Sequence, residues 1–356
     1  MAERNGTLEL VKGNVALAEG AVQGGCRCYF GYPITPQNDI PEYLSWRLPQ
    51  VGGTFLQAES ELASINMVLG AACTGTRAMT SSSSPGISLM QEGISFLAGD
   101  ELPAVIVNMQ RCGPGLGGIK PTQGDYFQAT RGGGHGDYRT LVLAPGTVQE
   151  LFDFAVLAFE LADKYRNPVL VLADAILGQM KEPAIMTPDH PVIEPDKPWA
   201  LDGAQDGEPL TNIRSMYLEG DDQEQLNYKL RDKYAEVERA EQRHEDHWTD
   251  DAELVVVAFG TASRIALSAI QVAHARGQKV GLFRPQTLFP FPKDALLELC
   301  ERAKRVLVIE LNLGQMVEDV RAMLPPDVDV RYYGRPAGAL PTTEQVLEAI
   351  EEAYAS

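Results

Sequence analysis

Residues 54–110 read TFLQAESELASINMVLGAACTGTRAMTSSSSPGISLMQEGISFLAGDELPAVIVNMQ. A short run, Thr54 to Ala58, precedes small and apolar residues at helical spacing from Glu61 to Cys73. A second run, Arg77 to Ser81, a helical span, Gly86 to Ala98, and a β-branched run, Ala104 to Met109, follow. Strand, helix, strand, helix, strand in this order predicts an α/β fold, a doubly wound parallel sheet with helices on both faces. Upstream, the alternation continues as a helix over Asn14 to Gly24, a strand over Cys28 to Tyr32 and a helix over Pro36 to Trp46. Downstream lie a strand at Leu141 to Leu143, a helix at Val148 to Tyr165 and a strand at Val169 to Leu172. It then breaks. Pro183, Pro188, Pro191, Pro195 and Pro198 fall within sixteen residues, and Asp221 to Asp250 is dense in charge, with Leu226, Leu230, Tyr234 and Val237 at helical spacing. This segment reads as a linker and an amphipathic helix, either a solvated lever or an arm packed on a partner. From Leu254 strands and helices alternate again. The expected division is an α/β domain over 1–180, a proline-rich linker with a charged helix over 181–252, and a smaller α/β domain over 253–356.

The 356 residues carry 30 Lys+Arg against 49 Asp+Glu, a formal net charge of -19. With so few and scattered cations, neither a nucleic acid nor an anionic membrane surface is an expected partner. No apolar run approaches the ~20 residues of a membrane span. The opening MAERNGTLEL lacks the basic and then apolar stretches of a secretory signal, so a cytoplasmic location is expected. Cys26, Cys28, Cys73, Cys112 and Cys300 contain no CxxC pair, which supports neither a disulfide framework nor a metal-ligand set. Four of them read as small packing residues; Cys112 sits in a glycine-rich segment and stays open.

In open α/β sheets ligands bind beyond the carboxyl ends of the strands, so the strand-to-helix junctions are the places to search. In Gly31-Tyr32-Pro33-Ile34-Thr35-Pro36, Thr35 stands where an N-cap hydroxyl would, with Pro36 at the first helical position. It is either a cap or a ligand-facing hydroxyl. Glu59 and Glu61 lead into a helix, Leu62 to Ala72, so apolar that burial is expected, and an acidic group there serves the helix dipole or a ligand. Ser81 to Ser84 form a hydroxyl-rich turn that either caps a helix or binds a polar ligand; it lacks the lysine of a P-loop. Arg111 follows a hydrophobic strand, where a guanidinium is suited to fork onto a carboxylate. After it comes a glycine-rich stretch of about 30 residues, too long for a simple connector. It carries Lys120, Arg131, Arg139 and His135, the last either a proton carrier or a turn residue. Gly113, Gly115 and Gly118 only weakly imitate a dinucleotide fingerprint.

Taken together, GYPITPQNDIPEYL (31–44), FLQAESELASINMVLGAACTGTRAMTSSSSPGISLMQE (55–92), PAVIVNMQRCGPGLG (103–117), FRPQTLFPFP (283–292) and VIELNLGQM (308–316) resemble the α subunit of the 2-oxoacid:ferredoxin oxidoreductases over nearly the whole chain. GDYFQATRGGGHGDYR (124–139) looks closest to the branched-chain, 3-methyl-2-oxobutanoate (ketoisovalerate) group. The resemblance implies a pyrimidine-binding thiamine diphosphate domain followed by a transketolase-C-terminal-like domain. It implies an enzyme that decarboxylates a 2-oxoacid oxidatively with coenzyme A, giving acyl-CoA, CO2 and reduced ferredoxin. A β subunit would carry the diphosphate-binding domain and Mg2+, a ferredoxin-like subunit the [4Fe-4S] clusters, and a γ subunit and external ferredoxin would complete the assembly. The GDG…Asn pattern for Mg2+ and the cysteine sets for clusters are missing here, so the chain is expected to be inactive alone. By the same resemblance Glu61 bonds the thiamine pyrimidine, favouring the tautomer that takes up the thiazolium proton. Thr35, with Pro33 and Ile34, faces cofactor and substrate, and Arg111 pairs with the 2-oxoacid carboxylate. The alternatives are a 2-oxoglutarate enzyme, which needs a second cation in the site, and a non-catalytic nucleotide-binding scaffold.

Overall fold

The computed structural model describes residues 6–203, 211–336 and 338–355. The first half runs β1 (Leu8–Lys12), α1 (Gly13–Gln23), β2 (Cys28–Gly31), α2 (Asp39–Gln50), β3 (Thr54–Gln57), α3 (Glu61–Cys73), β4 (Ala78–Ser82), α4 (Ser84–Gly99), β5 (Ala104–Gln110), α5 (Tyr126–Arg131), β6 (Leu141–Leu143), α6 (Val148–Tyr165), β7 (Pro168–Asp174), α7 (Ala175–Gln179) and β8 (Lys181–Ile185). The second half runs α8 (Gly220–Ala240), β9 (His244–His247), β10 (Leu254–Val257), α9 (Gly260–Ala275), β11 (Val280–Pro285), β12 (Thr287–Phe289), α10 (Lys293–Arg302), β13 (Arg305–Glu310), α11 (Met316–Met323), β14 (Asp329–Gly334) and α12 (Thr343–Ala355).

The larger sheet has the order β12-β6-β7-β5-β4-β2-β3 and is parallel except for β12. Its central strand β5 buries Ala104 and Ile106 against α3 and α4, and Val105, Val107 and Met109 on the side of α1 and α6. Burial on both faces is why this strand reads as an unbroken apolar run. The smaller sheet, β14-β13-β10-β11-β9, is parallel except for β9 and is likewise covered on both faces. On one face the apolar core continues through Tyr126 into Phe259, Phe283 and Met316, so the two sheets share a core.

Several expectations need correction. Helix α2 begins at Asp39, not Pro36, and Thr35 is not its cap. The carbonyls that a helix starting there would use are taken: Thr35 O accepts from Arg111 Nη1 at 3.1 Å, and Pro36 O from Asn14 Nδ2 at 2.9 Å and Gln179 Nε2 at 2.7 Å. Helix α3 is buried on one side only: Leu62 is 48% exposed, and Asn66 and Gly70 are exposed too. The linker 181–252 is no free connector, because its first residues pair with β1 as β8 and its charged His244–His247 joins the smaller sheet as β9. Nor is 253–356 self-contained, since β12 adds to the larger sheet. Helix α8 is not a free lever: one face is exposed and the other is seated on the chain itself. It packs Leu230, Tyr234 and Val237 on its own chain, with Tyr234 Oη donating to Asn167 Oδ1 at 3.2 Å and Lys233 paired with Glu101.

The proline-rich segment is held to α6 at two places. Lys197 and Arg77 both pair with the buried Asp163, at 2.9 and 2.8 Å. At the surface, the His190 ring lies between Asp189 (2.6 Å) and Glu160 (2.7 Å), and these bonds raise its pKa. A raised folded-state pKa means the tie is complete below the unfolded value of ~6.5 and is lost as pH rises through the folded one. Limited proteolysis should therefore nick the segment near residue 190 faster at alkaline than at mildly acidic pH. A His190→Ala chain should lose that difference.

Candidate active site

The carboxyl ends of β5, β4, β2 and β3 lie side by side in the larger sheet, and the segments leaving them carry Arg111, Ser81 to Ser84, Thr35 and Glu61. The serine turn joins them. Ser81 Oγ meets Tyr29 Oη at 2.7 Å and donates to Gln37 Oε1 at 2.6 Å, while Gln37 Nε2 donates to Tyr32 O at 3.3 Å. Ser81 thus holds the turn that presents Pro33, Ile34 and Thr35. One residue on, Ser82 Oγ donates to Glu61 Oε1 at 3.2 Å. Beyond the turn, Ser84 Oγ lies 3.0 Å from both the N–H and the carbonyl of Arg111. Ser83 Oγ is buried with no hydrogen-bond partner among the described residues.

The two carboxylates left open by the sequence separate clearly. Glu59 is exposed, whereas Glu61 is 6% exposed at the first position of α3, behind the Ser60 cap that accepts from Ala63 N–H at 3.2 Å. Gly86 makes room for it: a Cβ there would overlap Ser82 Oγ and Glu61 Oε1. The Arg111 guanidinium is also buried. Its Nη1 donates to Thr35 O at 3.1 Å and its Nη2 to Leu116 O at 3.3 Å, while Nε has no partner. These neutral partners leave its positive charge unpaired by any of them, as a carboxylate site requires. Thr35 is exposed on the wall of a cleft of ≈ 470 Å³ that is also bordered by Ile119, Lys120, Pro121, Ala175 and Ile176.

The long glycine-rich loop divides in two. Residues 112–120 close on themselves, with Cys112 N–H donating to Lys120 O and Gly118 N–H to Cys112 O, both at 2.9 Å. Gly115 and Gly117 have φ +70 and +58, a Cβ on Gly117 would strike the Cys112 carbonyl and one on Gly118 would crowd Cys112 Sγ, so these glycines serve a tight loop. Of the four basic candidates, only Lys120 borders the Thr35 cleft. Arg131 pairs with Asp319 at 2.8 Å and covers the Phe127 ring, Arg139 lies over Phe289, and His135 stands edge-on to Phe96.

Sequence reasoning missed Gln123, which pins the second part of the loop to the smaller sheet. Its Nε2 donates to Phe259 O at 2.8 Å, its Oε1 accepts from Leu311 N–H at 3.1 Å, and its own carbonyl accepts from Asn312 Nδ2 at 2.8 Å. Beside it, Glu310 caps α11, accepting from Met316 N–H at 2.8 Å and Val317 N–H at 3.0 Å; burial nonetheless pushes its carboxyl pKa up. The motif VIELNLGQM is therefore a receptor for this loop. Asp125, next to Gln123, was missed as well. Its Oδ2 accepts from Asn108 Nδ2 at 2.9 Å, and burial raises its pKa.

The parallel α/β architecture is one that known proteins share. Residues 19–246 match the family model described as "Pyruvate flavodoxin/ferredoxin oxidoreductase, thiamine diP-bdg", and 252–346 match "Pyruvate:ferredoxin oxidoreductase core domain II". The chain belongs to the 2-oxoacid:ferredoxin oxidoreductases and is an oxidoreductase subunit of their thiamine-diphosphate-binding type. It is 53% identical over 97% of its length, and 97% of the relative's, to ketoisovalerate oxidoreductase subunit VorB of Methanothermobacter thermautotrophicus. It is 38% identical to 2-oxoglutarate synthase subunit KorA of Methanocaldococcus jannaschii, over 96% of this chain and 99% of the other. Among solved structures, 2-oxoglutarate:ferredoxin oxidoreductase from Magnetococcus marinus, with 2-oxoglutarate, coenzyme A and succinyl-CoA bound, superposes with a TM-score of 0.85 at 28% identity. That match covers 98% of this chain and 65% of the other. A split gene transketolase, at 13% identity and a TM-score of 0.60, shares the fold.

The Gly86 contact gives a direct test. Gly86→Ala must push the Glu61 carboxyl aside, and a displacement near 1 Å costs roughly 10²-fold in rate. The assembled enzyme carrying it should lose activity on that scale while its circular dichroism spectrum stays unchanged.

Proposed function

We propose that this chain is the α subunit of an enzyme that oxidatively decarboxylates 3-methyl-2-oxobutanoate with coenzyme A, yielding the branched acyl-CoA and CO2 and passing electrons to ferredoxin. The observation that carries it is the convergence of Glu61, Thr35 and Arg111 on one hydroxyl turn. A buried carboxyl with one oxygen held by Ser82 fits the pyrimidine ring of thiamine diphosphate, which supplies the electron sink for decarboxylation when bound. Glu61 holds that ring by a hydrogen bond and moves a proton at its ring nitrogen, a role that needs burial from water. Pro33, Ile34 and Thr35 line its approach. Arg111 takes the substrate carboxylate and turns the oxo carbon toward the cofactor; its grip weakens as that carboxylate leaves as CO2. The branched side chain is favoured by the identity to subunits named for ketoisovalerate; Ile119, Pro121, Ala175 and Ile176 of the Thr35 cleft offer it apolar contact beside Lys120, Asp39 and Gln179.

The remaining parts belong to other chains of a cytoplasmic complex in this reading. The 1–180 domain binds the pyrimidine and 253–356 is the transketolase-C-terminal-like domain. A β subunit supplies the diphosphate site with Mg2+, and a γ subunit and a ferredoxin-like [4Fe-4S] subunit complete the electron path to external ferredoxin. The uncharged outer face of α3, with Leu62 beside Glu61, and Leu89 of α4, 55% exposed, are surfaces for the β subunit to cover. Such cover would dry the site and complete the burial that the composition of α3 leads one to expect.

Glu61→Ala should lower activity of the assembled complex with a viologen dye by at least about 10²-fold, on the scale of lost acid–base catalysis, with subunit composition unchanged. Retention of full activity would favour a scaffold role instead. With wild-type complex, kcat/KM for 3-methyl-2-oxobutanoate should exceed that for 2-oxoglutarate; the reverse order would assign the substrate to the dicarboxylic class.

A further inference from the structure

Arg111 is the first residue beyond β5, where the sheet no longer supplies partners for its backbone. The residue is 9% exposed, and its two terminal nitrogens are held by the carbonyls of Thr35 and Leu116. At the backbone end, a single side chain takes the place of a sheet neighbour. Ser84 Oγ lies at 3.0 Å from both Arg111 N–H and Arg111 O, so one hydroxyl accepts from the amide and donates to the carbonyl of the same residue. Ser84 is in turn braced. It opens α4, and its hydroxyl also lies within bonding reach of the Asp125 carboxyl, which is anchored by Asn108 Nδ2 and whose residue's amide donates to Gln110 Oε1 at 3.1 Å. Asn108 and Gln110 are the last two residues of β5 on that face, so the brace returns to the strand that carries Arg111.

We infer that Ser84 is a positioning residue for substrate binding: it fixes the backbone of Arg111, and thereby the direction from which the guanidinium receives the 2-oxoacid carboxylate. This rests on the reading of Arg111 given above. The physical basis is preorganisation. An arginine side chain is rich in rotamers, and a guanidinium fixed at both ends has lost that freedom before the substrate arrives. Without the hydroxyl, the amide and carbonyl of Arg111 lose their partner and the residue can rotate about its own backbone while its tip contacts remain. The loss falls on carboxylate capture. It does not fall on Glu61, which is held by Ser82 on the other side of the turn.

The test is a double-mutant cycle in the assembled holoenzyme, assayed with 3-methyl-2-oxobutanoate, coenzyme A and a viologen dye. Ser84→Ala should lower kcat/KM for the 2-oxoacid about five- to tenfold, mostly through a higher KM, and leave KM for coenzyme A and the affinity for thiamine diphosphate unchanged. In an Arg111→Gln background the same change should lower kcat/KM for the 2-oxoacid no further. An unchanged kcat/KM in Ser84→Ala, or an equal fall in both backgrounds, would overturn the inference, since a merely structural defect does not depend on Arg111. If Arg111→Gln by itself leaves kcat/KM for the 2-oxoacid unaltered, the fault lies in the role given to Arg111. Thermal unfolding and gel filtration of each complex separate these outcomes from loss of assembly.

Discussion

Three hydroxyls within four residues hold the site together. Ser81, Ser82 and Ser84 stand where β4 turns into α4, and the changing direction of successive side chains there sends each to a different neighbour: the Tyr32–Pro36 turn through Gln37, the Glu61 carboxyl, and the Arg111 backbone. The chemistry of the tethers matters as much as their geometry. A carboxylate held by an arginine, or an arginine held by a carboxylate, would be neutralised by its own support. Neutral hydroxyls and carbonyls fix position and leave both groups free to engage a ligand. They are also short, so the anchored groups cannot wander as they would at the end of a lysine or glutamate.

The rest of the molecule keeps that turn in place. The loop that leaves β5 would be unsupported if the smaller sheet did not receive it, and Gln123 does so by imitating a strand, with its side-chain amide offering both a donor and an acceptor to Phe259 and Leu311. Elsewhere between the sheets, Arg284 joins Glu150 and Glu245, and burial alone would lower the arginine's pKa; hydrogen bonds to these carboxylates reverse that and raise it. Two sheets, one shared core and one threaded loop therefore act as a unit. Among the described residues no helix is long and apolar enough to cross a membrane.

Much of this architecture is legible in the sequence alone. The core strands of both sheets announced themselves because they are buried on both faces and carry unbroken apolar runs, as Ala104–Gln110 and Leu254–Val257 do. Glu61, Thr35 and Arg111 stood out as candidates because each sits at a strand end within a distinctive motif, and the structure gathers them around one serine turn. What escaped has physical reasons. His244–His247 is a strand with no apolar residue, made by pairing with β11 rather than by its own propensity. The start of α2 was misplaced because Asn14 and Gln179, 22 and 143 residues away from Pro36, take its carbonyl, and no local pattern reports such a capture. Gln123 looked like one polar residue among many in a glycine-rich loop, and only the facing backbone of Phe259 and Leu311 gives it meaning.

Strand β12 adds a condition on how the chain is made. Until Thr287–Phe289 arrives, β6 is the rim of the larger sheet, with its outer row of amides and carbonyls open to any passing strand. During synthesis at ~5–20 residues per second, the roughly 145 residues between them take on the order of ten to thirty seconds to appear. For that interval the nascent first half carries the hydroxyl turn and most of its sheet, yet exposes a template for pairing with a neighbouring ribosome's product. A protein that needs its own later residues to seal an earlier sheet is most vulnerable while it is still being translated.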